Sequence, residues 1–223
     1  METIVIIPAR GGSKRLPGKN LLPLGGIPLL AHSIKYAQAC SAIDQIFVST
    51  DNPEIKATAF GFGASVIDRP PNLSGDEEPT VTALQHVLAQ TGPRRVVLLQ
   101  PTNPLRPQTL LDDALQLFDR QQIQSLFTVS QSHHKLGKII GENFVPYNYQ
   151  PGQRSQDLDP LYFENGLLYI CEPSVLDRGL IIAPEAHPMV IDHPFARVDI
   201  DIQDDFDYAE FLYHKYKNDE SLP

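Results

Sequence analysis

From Thr3 to Ser130 the chain alternates short apolar runs with longer stretches whose apolar residues recur at helical spacing. The runs Thr3–Pro8, Gln45–Thr50, Ala64–Asp68, Arg95–Gln100 and Ser125–Ser130 read as strands. Between them, Pro28–Cys40, Asn52–Phe62, Pro79–Gln90 and Pro107–Arg120 read as helices. Pro53 suits the first turn of its helix, where a backbone N–H has no partner to lose. In the last helix Leu110, Leu111, Ala114, Leu117 and Phe118 share one face. Apolar strands alternating with amphipathic helices imply a mostly parallel sheet covered on both faces, a Rossmann-like three-layer α/β/α fold.

The pattern breaks at Gln131. Residues Gln131–Asp159 are polar and rich in Gln, Tyr, Asn and Pro, and read as an inserted irregular or hairpin arm. Gly166–Cys171 restores a strand, Val190–Asp192 and Arg197–Ile202 add two short ones, and Asp204–Lys217 closes with an amphipathic helix. There is no internal repeat, and 223 residues suit a single domain, 1–223, carrying this arm. The twenty prolines exceed the roughly 5% average usage but are dispersed at element ends, which suggests ordered loops.

Composition narrows the partners. A formal net charge of -9 argues against broad nucleic-acid or anionic-membrane binding, which needs a basic face. The start of the chain lacks the charged, apolar and cleavage regions of a signal peptide. No run of about 18 apolar residues occurs either, so the expectation is a cytoplasmic protein that does not span a membrane. Cys40 and Cys171 have neither metal-ligand nor redox spacing and read as two buried thiols.

Ligands of open α/β sheets bind beyond the carboxyl ends of the strands. That rule gathers Arg10–Lys19, Asp51, Arg69–Asp76, Gln100–Arg106 and His133–Lys138 on one rim. The first of these segments holds Gly11, Gly12 and Gly18 among Arg10, Lys14, Arg15 and Lys19, a local cationic block in an acidic chain. Glycines let backbone N–H groups approach a phosphate and cations neutralise it, so the segment points to a triphosphate. It is not a P-loop: the spacing from Gly12 to Gly18 is too long, and Asn20 stands where Ser or Thr would meet magnesium. Asp199 and Asp201 form the second feature. At i and i+2 of a strand both carboxylates would leave one face, with Ile200 turned into the sheet, and two such oxygens suit Mg²⁺. The same residues could instead begin an acidic helix N-terminus with Asp204, Asp205 and Asp207. His133 and His134 are adjacent, would point to opposite faces, and read as solvated or substrate-facing.

The stretch Ile-Pro-Ala-Arg-Gly-Gly-Ser-Lys-Arg-Leu-Pro-Gly-Lys-Asn, ending at Asn20, resembles the nucleotide-binding signature of the acylneuraminate cytidylyltransferases. Val48–Asp51, Arg69–Asp76, Leu99–Arg106, Glu164–Tyr169 and Asp199–Asp201 resemble further blocks of that family in the same order. The resemblance implies a nucleotidyltransferase fold and transfer of CMP from CTP to a 2-keto-3-deoxy sugar acid, a sialic acid or related nonulosonic acid. It also implies a homodimer joined through the arm. Phosphate and leaving-group contacts then fall to Ala9, Arg10, Gly11, Gly12, Ser13 and Lys19, and the ribose to Asn20. Asp76 joins the nucleotide site, while Arg69 and Thr80 read the pyrimidine. The sugar falls to Gln100, Tyr169, Arg154 and Lys138, and Mg²⁺ (or Mn²⁺) to Asp199 and Asp201. Arg10, Lys19, Asp199 and Asp201 carry the catalysis.

Two departures bear on the sugar. Phe163 precedes Glu164 where many bacterial members have an arginine, leaving the carboxylate to Arg154, Lys135 or Lys138. Leu180 and Ile181 precede Ile182-Ala183-Pro184 where aromatics are common, which reshapes the acyl pocket. The cytidylyltransferase for the eight-carbon Kdo acid shares the Arg-Leu-Pro-Gly-Lys ending, but Gln100–Arg106 resembles the sialate type. A non-catalytic nucleotide-binding protein on the same fold is the reading from a different class.

Overall fold

Ile4, Val5, Ile6 and Ile7 are all fully buried, as a central strand covered on both faces requires. They belong to strand β1 (Thr3–Pro8) in a computed structural model that describes residues 2–217. The short hairpin β2 (Pro23–Leu24) and β3 (Ile27–Pro28) turns on Gly25 and Gly26, both at positive φ. Helix α1 (Leu29–Ala39), strand β4 (Gln45–Thr50), helix α2 (Pro53–Gly61) and strand β5 (Ser65–Asp68) follow. Asn52 caps α2, its side-chain oxygen accepting from Glu54 N at 2.8 Å and Ile55 N at 3.0 Å. Next come α3 (Thr80–Leu88), β6 (Arg95–Leu98), α4 (Leu110–Gln121) and β7 (Ser125–Ser132). The arm holds a hairpin of β8 (Gly137–Ile140) and β9 (Asn143–Pro146). The chain then re-enters the sheet as β10 (Leu161–Cys171), followed by α5 (Pro173–Asp177), β11 (His187–Val190) and α6 (Gln203–Tyr216).

The sheet has seven strands in the order β11-β7-β10-β6-β1-β4-β5. Six run parallel, and β10 alone is antiparallel to its neighbours β6 and β7. That reversal places the arm. It leaves from the carboxyl end of β7 and returns at the start of β10, so both its roots stand on the rim where the loops after β1, β4, β5 and β6 emerge.

Alternate side chains of β1 enter two different cores. Val5 and Ile7 join residues of α1, α2 and α4, while Ile4 and Ile6 join those of α3 and α5. Each such aliphatic side chain contributes about 1.5–3 kcal/mol by leaving water. A third cluster lies outside the sheet, where Leu16, Leu24, Phe195, Val198 and Ile200 pack under α6. Cys40 and Cys171 are free and buried; burial first, aided at Cys40 by Asp112, raises their pKa values to about 11 and about 12. No helix among the described residues is long and apolar enough to cross a membrane.

Three expectations need correction. Residues 197–202 form no strand: Pro194–Arg197 is a short 3-10 turn and 198–202 run without a sheet partner. Ile200 is fully buried as anticipated, but in the cluster under α6 rather than in the sheet. Strand β10 begins at Leu161 rather than Gly166, because an irregularity between Glu164 and Tyr169, with Gly166 at φ +76°, breaks the alternation a sequence pattern reads.

Candidate active site

The glycine-rich loop is tied down at both ends. Ala9, buried, donates its N–H to Ser49 O at 2.9 Å and so extends the β1–β4 ladder by one residue. Gly11 N then donates to Asp51 Oδ1 at 2.9 Å, and a Cβ on Gly11 would stand 2.7 Å from Asn52 Nδ2, too close for any other residue. Gly12 meets nothing within 4 Å and faces open space. Past Gly18, at φ +67°, a single 3-10 turn (Lys19–Leu21) buries Lys19 and Asn20. The Asn20 amide donates back to Arg10 O at 3.0 Å, closing the loop on itself.

Its cations reach two carboxylates, Asp76 and Asp201, that line a cleft of about 580 Å³. Arg10 donates to Gly75 O at 2.6 Å and pairs with Asp76 at 2.9 Å, and Lys14 also contacts Asp76. Arg15 pairs with Asp201 at 2.8 Å, while Lys19 Nζ meets Asp201 Oδ1 at 3.0 Å and Ile200 O at 2.6 Å. Lys14 above all, and Arg10 after it, hold the Asp76 carboxyl below its ordinary pKa. The structure therefore brings together nine predicted residues around one cleft: Arg10, Ser13, Lys19, Asn20, Arg69, Asp76, Thr80, Gln100 and Asp201.

Arg69 is buried, with Nε on Ser49 Oγ at 3.1 Å and Nη2 on Ser49 O at 2.6 Å. A guanidinium has five N–H donors, so the others remain for the cleft. Burial lowers its pKa, opposed by Asp51. Asp199 presents an open face to solvent, yet the surrounding protein displaces enough water to raise its carboxyl above the ordinary range. The charge of Asp201 raises it further, and the Thr102 hydroxyl bond and Lys19 oppose the shift.

A second pocket of about 420 Å³ shares Pro79, Thr80 and Gln100 with the cleft. Its wall is largely aliphatic, with Leu98, Leu180, Ile181 and Ile182. At its polar edge the Tyr169 hydroxyl donates to Glu164 in a short contact; burial, and then Glu164, push the phenol pKa upward. Two predicted sugar contacts stand elsewhere. Lys138 lies exposed on β8, and Arg154, exposed in the arm, pairs with Asp157 at 2.7 Å; neither lines either cavity. Lys135 donates to Gln153 O and lies over the Tyr149 ring at 5.3 Å.

Among the described residues no three or more His, Cys, Asp or Glu gather as a closed metal cage. The pair Asp199 and Asp201 nevertheless fits a hard cation that takes one or two carboxylates and leaves its remaining positions to water or phosphate. Burial first, and the charge of Asp201 after it, disfavour the ionised Asp199 carboxyl, a cost that a bound divalent charge would offset.

Sequence reading passed over the side chains that hold these groups. Arg106 is wholly buried with no acidic partner among the described residues, donating to Leu167 O at 2.7 Å, Gln100 O at 2.9 Å and Ser33 Oγ at 3.1 Å, with the Tyr36 ring 5.5 Å away. Burial lowers its pKa to about 10. Its grip on the Gln100 carbonyl sets the residue shared by both cavities. An arginine closing the Gln100–Arg106 block was visible in the sequence; that it turns inward was not.

Residues 4–215 match a family model described as cytidylyltransferase. The pseudaminic acid cytidylyltransferase of Campylobacter jejuni is 31% identical over 225 residues, covering 96% of this chain and 97% of that protein. The N-acylneuraminate cytidylyltransferase of Streptococcus agalactiae is 32% identical over 215 residues, covering 92% of this chain and 52% of that protein, so the chain spans about half that relative's length. Among solved structures, CMP:2-keto-3-deoxy-manno-octonic acid synthetase complexed with CTP matches with a TM-score of 0.72 at 18% identity, covering 96% of this chain and 99% of that one, a likeness of fold.

Proposed function

The chain belongs to the cytidylyltransferase family, and from that premise we propose that it transfers CMP from CTP to the anomeric hydroxyl of an N-acylated nonulosonic acid. The observation that carries this reading is the bridging of the cleft, with Arg10 and Lys14 parked on Asp76 and Arg15 and Lys19 on Asp201. A triphosphate entering the cleft offers these cations more negative charge than Asp76 does, and can displace it at little cost from an exposed pair. The anomeric oxygen attacks the α-phosphorus, the bond to the β-phosphate oxygen breaks, and pyrophosphate leaves. Such in-line displacement needs positioning and charge stabilisation rather than a covalent intermediate.

Lys19 and Arg10 take the charge that grows on the α-phosphate and leaving group, with Ser13 and the Gly12 amide as further donors; the Gly11 N–H, expected among them, is held by Asp51 and serves to fix the loop. Asn20 meets the ribose, and Arg69 and Thr80 the pyrimidine. Asp199 and Asp201 would hold Mg²⁺, with Mn²⁺ as a substitute. The chemistry supplied by the bound ion is polarisation of the α-phosphate and a lower pKa for the attacking hydroxyl.

Gln100 and Tyr169 hold the sugar in the second pocket. Its aliphatic wall of Leu98, Leu180 and Ile181 favours an N-acylated nine-carbon acid over polyhydroxylated Kdo. The protein works as a cytoplasmic homodimer: Ile139, Ile140 and Phe144 of the arm hairpin are 70%, 60% and 51% exposed, an apolar surface suited to a second copy. Arg154 and Lys138 line neither cavity of their own chain, and in this reading they serve the sugar carboxylate of the second copy. A pyrophosphate-release assay tests the reading, pairing CTP or a purine triphosphate with a panel of nonulosonic acids and Kdo. Release is expected with CTP and nonulosonic acids. Release with Kdo alone would overturn the sugar, equal use of purines the roles of Arg69 and Thr80, and CTP binding without any release the activity itself.

A further inference from the structure

The acidic pair sits on backbone that the sheet does not hold, since residues 198–202 pair with no strand among the described residues. Their polar groups must find partners elsewhere, and those partners decide where the carboxylates stand. Ile200 N donates to Thr102 O at 2.9 Å, and the Asp205 carboxylate accepts from Asp201 N at 2.9 Å and Ile202 N at 3.0 Å. Lys19 takes Ile200 O. The Val198 carbonyl, just before the pair, accepts from Asn103 Nδ2 at 2.7 Å.

Asn103 is fully buried, and its amide group is used at both ends. Nδ2 also donates to Asn165 O at 3.2 Å, and Oδ1 accepts from Thr102 Oγ1 at 3.2 Å. Thr102 is the same residue whose carbonyl holds Ile200. Space for the amide comes from Gly166, where a Cβ would stand 2.8 Å from Asn103 Oδ1. The irregularity of β10 lies at that point. Asn165 pins the same spot to β7, accepting from Thr128 Oγ1 at 2.6 Å and donating to Ser130 Oγ at 3.0 Å.

We infer that Asn103 is a positioning residue for the acidic pair, seated by Gly166 and Asn165, and that the irregularity in β10 exists to give it room. This rests on the reading of Asp199 and Asp201 as ligands of a divalent cation. Only a side chain with a donor and an acceptor at asparagine's reach satisfies Val198 O and Thr102 together. Serine falls short of Val198, and aspartate would set an acceptor against an acceptor.

Asn103→Ser and Gly166→Ala test the assignment from the two sides of one contact. Hydrogen exchange is expected to show lost protection of the Ile200 and Asp201 amides, with β1 and β6 unchanged. Mn²⁺ affinity, read by electron paramagnetic resonance with a non-hydrolysable CTP analogue, should weaken by about 10–100-fold, as when support behind metal ligands is removed. KM for CTP should stay near wild type, and added Mg²⁺ should restore part of kcat. Wild-type protection at Ile200, or unchanged Mn²⁺ affinity with a raised KM for CTP, would overturn the assignment. Should Asn103→Ser not fold, Gly166→Ala carries the same readouts with the amide retained. A wild-type protein that binds no Mn²⁺ would instead remove the metal reading, while the exchange data still decide the role of Asn103.

Discussion

In the cleft, charged side chains up to 186 positions apart in sequence neutralise one another, and the loop that carries the cations is bonded at both ends. In the arm, the longest side chains of the β8–β9 hairpin face water, and its cations bond within the arm itself, Arg154 to Asp157 and Lys135 to Gln153. The cations and carboxylates of the cleft all come from one chain and are held by bonds within it. The arm hairpin has no core of its own, and a two-stranded hairpin is marginal in water without something to pack against. Chemistry that tolerates little misplacement is thus built on the sheet rim, and the appendage whose surface is left open is the part suited to assembly.

The sharpest way to break this contrast is to remove charge from the cleft. Asp201→Asn should abolish turnover while the melting temperature stays near wild type. Lys19→Ala should lower kcat by about 10²–10³-fold, with a smaller rise in KM for CTP, because its contact tightens as charge develops. Steady-state kinetics beside thermal melts would decide both, and near-normal rates would sink the metal and phosphate roles. Next in size is the support beneath the rim. Arg106→Met should cost about 3–5 kcal/mol in urea unfolding, since it strands buried acceptors at Leu167, Gln100 and Ser33. A cost under about 1 kcal/mol would mean water replaces the guanidinium.

Changes in the arm should act the opposite way. Ile139→Lys with Phe144→Ser should shift the particle to a monomer in light scattering while CTP affinity is kept; loss of CTP binding with it would show that cleft and arm are not separable. The smallest effect belongs to the thiols, which neither region uses. Cys171 titrates at about 12 folded against an ordinary 9.0, so the protonated thiol favours the fold. Its contribution is full below the ordinary value and is lost as pH rises toward the folded one. The stability gap between wild type and Cys171→Ala should accordingly narrow above pH 9.0, and thiol labelling at neutral pH should be slow until urea unfolds the chain.

Local pattern made much of this legible in advance. Strands β1, β4 and β6, helices α1 to α4, and the cationic glycine loop all follow from residues adjacent in sequence, where side-chain period reports backbone geometry directly. The pattern failed where backbone leaves that regularity. Gly166 hides the first half of β10, and residues 198–202 look like a strand only because apolar Ile200 alternates with Asp199 and Asp201.

The sequence by itself determined that a cationic loop and an acidic pair exist, that the sheet is mostly parallel, and that one rim collects the polar residues. Only the tertiary structure decided how the two halves meet. Lys19 finds Asp201 across 182 positions through a half-buried bond, and Asn103 finds Val198 across 95 through a buried one, and no periodicity encodes either. Arg106 turns inward because three acceptors converge there to replace its hydration, an arrangement that exists only once α1, β10 and the rim loop have packed.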